Sequence, residues 1–248
     1  MCIFSGPVSG VAATRIFARG AGDRQLLAYQ LQVAIAEPLA MVLPIPTPPH
    51  SPDDAVGFLD LSGYRTFFTD LEAAFDDSAD DLELVESFGL ALPDDPTLVV
   101  HEVGDFVASF VPRLADFARL APRFRLPDAI WACLPQYRDW GFVVCQLAQL
   151  GPQHVHPIAF DYPRRDRLLV FPTVHVHEGT LAPHAHFDHE LYAQPGTDAA
   201  DLSVWRRSRA AAEVEVDVAN ALGLIDGGAP LWHLGLHGTY PNGDVVIE

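Results

Sequence analysis

The chain has 248 residues, 49% of them hydrophobic and 19% charged, which is enough apolar content to build a sizeable core. Its formal net charge is -18, and all 15 of its Lys+Arg count are arginines. The charge argues against non-specific binding to nucleic acid or anionic membranes. The missing lysine excludes Schiff-base chemistry, a pyridoxal phosphate linkage and a Walker-type phosphate loop.

The three cysteines, Cys2, Cys133 and Cys145, are widely spaced and form no C-x-x-C pair, which leaves no thiol redox motif and no Cys-rich zinc ribbon. MCIFSGPVSG lacks the basic and long apolar regions of a signal peptide. No apolar run approaches the roughly 20 residues of a membrane span. A cytoplasmic location is expected.

In chain order, residues 3–4, 14–19, 25–36 and 41–45 read as β-prone runs separated by Gly and Ser. The proline cluster at 44–52 is a turn or extended wall, followed by strand-like 56–61. Residues 64–75 place Phe67, Phe68, Leu71 and Phe75 at helical spacing, with Ser62 a cap candidate. The acidic run DDSADDLELVE lacks the glycine turn of a calcium loop and reads as a solvated loop entering a short helix.

Residues 97–111 form a hairpin pattern around Gly104 and Asp105, while 114–120 and 128–134 look helical between prolines. Strands are expected at 142–147, 155–162, 168–177 and 184–193. The alanines of 202–225, with Glu213 and Glu215, suit a helix of several turns, and 241–244 reads as a hairpin turn. The expected fold is α+β, mainly antiparallel sheets with inserted helices, as one domain over residues 1–248.

Chemistry concentrates in the stretch 175–189, HVHEGTLAPHAHFDH. On strands, alternation would aim His175 and His177 one way and pair His184 with His186 on the next strand. A hairpin would bring the two H-x-H pairs together, with His189 and Glu190 alongside and His154 and His156 as a third pair. Such a nitrogen-rich set suits iron, copper or zinc more than magnesium or calcium. The candidate metal ligands are therefore His175, His177, His184, His186 and His189.

Two families overlap this stretch. HAHFDH resembles the H-x-H-x-D-H motif of metallo-β-lactamase-fold hydrolases, although it follows GTLAP and precedes ELY rather than sitting behind a buried strand. GTLAPHAHFDHELYAQPG resembles the first metal motif of cupins, which implies His184, His186 and Glu190 as ligands and a further histidine from His233 or His237. The spacings run about a residue short, so geometry rather than family carries the expectation.

Cys2 is the competing lead. With Met1 removed it would present a thiol beside a free amine, and CIFSGPV followed by TRIFARG resembles the cysteine branch of N-terminal-nucleophile hydrolases. The sequence thus predicts a transition-metal-binding protein, an oxidoreductase or hydrolase acting on a small-molecule or peptide substrate. A Cys2 amidohydrolase and a non-catalytic metal-storage or interaction protein are the alternatives. The oligomeric state stays open.

Overall fold

Period-two alternation of apolar residues lays down most of this chain as strands. The computed structural model describes residues 3–76, 98, 100–103, 106–147, 151–176, 179–196 and 201–248. Cys2, His177, Glu178, the acidic run beyond Asp76 and the expected turn at Gly104 and Asp105 lie outside them.

The strands are β1 (Ile3–Phe4), β2 (Val8–Ala21), β3 (Arg24–Ile35), β4 (Leu39–Ile45), β5 (Gly57–Asp60), β6 (Val100–Val103) and β7 (Phe106–Val111). They continue as β8 (Gly141–Leu147), β9 (Gly151–Pro163), β10 (Leu169–Phe171), β11 (His184–Gln194), β12 (Arg206–Ala211), β13 (Pro230–Pro241) and β14 (Val245–Ile247). Among the described residues helices are few and short: α1 (Phe67–Ala73), α2 (Asp128–Ala132) and several short 3-10 segments. No described helix is long and apolar enough to cross a membrane.

One sheet runs β1-β4-β8-β7-β6 and a second runs β12-β13-β11-β2-β3-β9-β5, with β10 and β14 as a separate pair. The described ladders between these strands are antiparallel except β11 with β2. Mixed pairing at β2 accompanies a bulge: the register shifts between Ala12 and Arg15, and Ala13 takes φ +48°.

Alternation sorts the side chains into three cores. Leu27, Tyr29, Ile158 and Phe160 of the larger sheet meet Met41, Leu43, Val143 and Phe110 of the smaller one in a central sandwich. The outer face of the smaller sheet, with Val42, Val111, Phe142 and Val144, lies under the short helical turns bearing Phe117, Phe124, Ile130 and Tyr137. On the outer face of the larger sheet, Phe17, Ala28, Ala159 and Tyr192 pack against Phe67, Phe68 and Leu71 of α1 and against Val216, Leu224 and Ile225. Each fully buried side chain of this size contributes about 1.5–3 kcal/mol. The Tyr64 hydroxyl joins the two covers, donating to Asp70 Oδ2 at 2.6 Å and accepting from the Asp217 amide at 2.8 Å.

The expected sheet-rich fold with antiparallel pairing is present, and α1 falls inside the helical pattern at 64–75. Residues 202–225 correct the expectation of a long helix. They form β12, a 3-10 turn at Ala212–Val214 and further turns. Trp205 enters the central core and Ala212 the outer one, with a register shift between Arg207 and Ala211. That crossing breaks the period-two signal, and pairing with β13 overrides alanine's helix propensity.

The turn at 241–244 does not close a hairpin either, because β14 leaves β13 to pair with β10. Asp244 holds this departure. Its carboxylate accepts from Tyr137 Oη at 2.7 Å and from the amides of Thr173 and Val174 at 3.0 and 3.2 Å.

Candidate functional site

The expected strand at 168–177 ends at Phe171, so His175 lies beyond the ladder that β10 forms with β14 rather than on a strand paired with β11. Beyond Phe171 an asparagine side chain takes over the role of a neighbouring strand. Asn242 Oδ1 accepts the His175 amide at 2.7 Å, and Nδ2 donates to the carbonyls of His175 and Ala182 at 2.8 and 2.9 Å. His175 is thereby held in the interior, 2% exposed, with its ring centroid 4.3 Å from Phe187 and 5.3 Å from His189.

Parity on β11 then divides the histidines. Phe187, His189 and Leu191 face inward, whereas His184, His186, Asp188 and Glu190 share the opposite face. His184 and His186 are exposed and His189 is buried, its Nδ1 accepting the Asp188 amide at 3.1 Å. His156 lies on β9, separated from β11 by β2 and β3, and stacks on Phe106 at 4.3 Å. Of the described candidates, His175 and His189 thus meet in the interior, while His184 and His186 stand on the opposite face of β11.

The more connected polar cluster sits on the outer face of β11 and β13. Register places Glu190 opposite Gly235, between His233 and His237. Both imidazoles donate Nε2–H to its carboxylate, His233 to Oε2 at 2.5 Å and His237 to Oε1 at 2.8 Å. A Cβ at Gly235 would stand 3.2 Å from His237 Nε2 and 3.3 Å from Glu190 Oε2, so glycine makes room for the contact. The hydrogen bond from His233 is the main cause that holds the Glu190 carboxyl below its ordinary range, against the opposing effect of burial.

Asp188 extends the cluster. Oδ2 accepts the amide of Ala13 at the β2 bulge at 3.0 Å, and Oδ1 lies 3.4 Å from His237 Nδ1. His233 stacks on Tyr192 and lies 5.2 Å from Phe75. The sequence marked Glu190, His233 and His237 only as candidate metal ligands. The alternation of LWHLGLH was the signal that His233, Gly235 and His237 share a face. In the folded chain these groups bond one another, closer than the roughly 3 Å or more between ligands around one ion. Among the described residues no group of three or more His, Cys, Asp or Glu side chains is placed to hold a metal ion.

No protein-family model matches the sequence, and no curated protein matches it. Among solved structures the chain is similar to baculovirus P35, with a TM-score of 0.53 and 12% identity over 100% of this chain and 99% of that one. A mutated baculovirus P35 after caspase cleavage gives a TM-score of 0.50 and 11% identity, covering 96% of this chain and 99% of that chain. A P35 in complex with caspase-8 gives 0.49 at 11% identity and 96% coverage of each chain.

The expected metalloenzyme, oxidoreductase or hydrolase, is overturned by this whole-length likeness together with the absence of a metal-holding group among the described residues. The small-molecule or peptide substrate expected for that enzyme, and the metal-storage alternative, fall with it, while Cys2 lies outside the described residues. The fold of this chain is similar to that of baculovirus P35 along its entire length.

Proposed function

We propose that the chain is a protein inhibitor that engages a caspase-type cysteine peptidase. The observation that carries this reading is the fold likeness to P35 over essentially the full length of both chains, one of the similar P35 structures being described after caspase cleavage. In this reading residues 1–248 act as one α+β domain that presents a protein surface rather than an enclosed catalytic centre. A cytoplasmic location goes with it, and the exposed free thiol of Cys133 suits a reducing compartment.

The test titrates the purified chain against a panel of caspases hydrolysing a fluorogenic peptide, with intact-mass analysis of the chain in the same mixtures. Progressive loss of peptidase activity, with conversion of the chain to cut or caspase-bound species, is the expected result. Undiminished activity at molar excess of the chain refutes the proposal, whether the chain stays intact or is merely digested.

A further inference from the structure

We propose that Asn242 is a self-modifying site, converted to aspartate or isoaspartate through attack by the Gly243 amide, and that this conversion frees the stretch around His175. The chain has two asparagines, and the fold sets them in opposite circumstances. Asn220 precedes Ala221, whose amide already donates to the Asp217 carbonyl at 3.1 Å and whose side chain is fully buried. Asn242 precedes Gly243, whose amide donates to no described group. A Cβ at Gly243 would meet nothing within 4 Å, so the attacking nitrogen stands in open space.

The chemistry needs only water and hydroxide. The Gly243 nitrogen, its proton passed to hydroxide, attacks Asn242 Cγ and closes a cyclic imide. The Cγ–Nδ2 bond breaks, and ammonia leaves with a proton taken from water. Water then opens the imide at either of its carbonyls. The His175 amide, donating to Asn242 Oδ1 at 2.7 Å, stands where negative charge develops during the attack. The Gly243 carbonyl accepts from Thr173 Oγ1 at 2.8 Å, which holds the attacking peptide unit in place. The two hydrogen bonds from Nδ2 keep the carboxamide in one orientation and are lost with the ammonia.

What the conversion removes is the tie on the chain beyond β10. A carboxylate has no hydrogen to donate. The carbonyls of His175 and Ala182 would then face an anion in place of an NH2 group, and both would lose the donor they now have. The isoaspartyl product also runs the main chain through the side-chain carboxyl, one carbon longer, immediately before Asp244 and β14. Asp244 in turn accepts the amides of Thr173 and Val174, so the same stretch is slackened from both of its anchors. Val176 bridges Ile3, which carries the change to β1. The site thus acts as a timer, with a young form in which residues 173–176 are held and an aged form in which they are released. The inference stands apart from the peptidase reading, since it concerns a slow change in the chain itself.

The test holds the folded full chain at mildly alkaline pH for several weeks and follows intact mass, peptide maps and amide hydrogen exchange. Asn242 should gain about one dalton, at a rate within roughly tenfold of that in the urea-unfolded chain, while Asn220 stays intact. Exchange in the peptide carrying His175 should quicken about tenfold in the converted chain, with that of β3 and β9 unchanged. Gly243→Ala has room for its methyl group and no left-handed φ to oppose it, so it should fold by far-UV circular dichroism and convert about tenfold more slowly. Asn242→Asp should reproduce the faster exchange, and the aged parent chain supplies that readout if the variant does not fold. Asn242 that stays intact in the folded chain while converting in urea refutes the proposal, as does conversion that leaves exchange around His175 unchanged. Equally fast conversion in Gly243→Ala would assign the loss of ammonia to direct hydrolysis, and overturns it too.

Discussion

Replacing Asp244 by asparagine should change how stability depends on pH while leaving the fold intact. Both carboxylate oxygens are taken by protein donors, Oδ2 by Tyr137 and Oδ1 by the amides of Thr173 and Val174. The residue keeps some exposure, yet its ionisable end is enclosed, and desolvation raises its pKa from 3.8 to about 6 against the lowering effect of those hydrogen bonds. The folded chain therefore holds this proton more tightly than the unfolded chain. Its contribution to stability is full below the ordinary carboxylate value and is lost as pH rises through about 6. The gap corresponds to an upper figure of about 3 kcal/mol, because residual exposure screens part of it. Asparagine keeps an oxygen for the two amides and cannot ionise. Urea unfolding of both proteins across this pH range should show their stability difference moving in favour of Asp244→Asn by up to about 3 kcal/mol. A difference that stays flat with pH would refute the reasoning.

Gln25 is fully buried and takes the place of a strand beside β10, with Nε2 donating to the Val170 carbonyl at 2.7 Å and Oε1 accepting the Val170 amide at 3.1 Å. Gln25→Leu orphans both main-chain groups and should cost about 2–4 kcal/mol in urea unfolding. A Cβ at Gly141 would stand 2.6 Å from the Phe110 ring and 2.7 Å from Thr47 Oγ1, so Gly141→Ala should destabilise by about 1–3 kcal/mol and lower the thermal midpoint. Glu190→Gln leaves one imidazole N–H facing an amide NH2 group and should cost about 1–2 kcal/mol at neutral pH. Because the folded carboxyl titrates below its ordinary value, the stability it contributes is present above that value and lost as pH falls through the folded one. The variant and the parent should therefore converge in acid, as urea midpoints at the two pH extremes would show.

Strand positions were largely legible because half-buried sheets impose period two: 25–36, 41–45, 142–147 and 184–193 all coincide with ladders. The hairpin of β6 and β7 was likewise visible in its flanking runs. What failed were segments where a side chain or a bulge stands in for the regular pattern. Residues 202–225 change faces across a bulge, and buried positions at 205, 208, 212 and 216 then imitate helical spacing. The stretch after Phe171 is held by Asn242, about 70 residues away in sequence, a tie that no local pattern announces. Strand order was equally hidden. His156 and His184 both belong to the larger sheet, but β2 and β3 lie between their strands.

The density of histidine in this chain has a physical account that requires no ion. An imidazole is a flat ring with two polar corners, so it can pack as an aromatic while bonding at its edge. His101 lies 4.9 Å from Phe58, His156 stacks on Phe106 at 4.3 Å, His175 sits 4.3 Å from Phe187, and His233 stacks on Tyr192 at 5.1 Å. Each occupies a boundary where apolar packing meets a polar demand. His156 Nδ1 contacts the Pro157 carbonyl, His233 reaches Glu190, and His189 takes the Asp188 amide. With no lysine in the chain, imidazole and guanidinium are the only cationic groups its side chains offer its carboxylates. Parity on a strand then decides the use of each ring: His189 faces the core, while His184 and His186, an odd number of residues away, face solvent. Convergence of the expected ligands would have needed one parity for all of them, and on β11 His189 lies on the face opposite to His184 and His186.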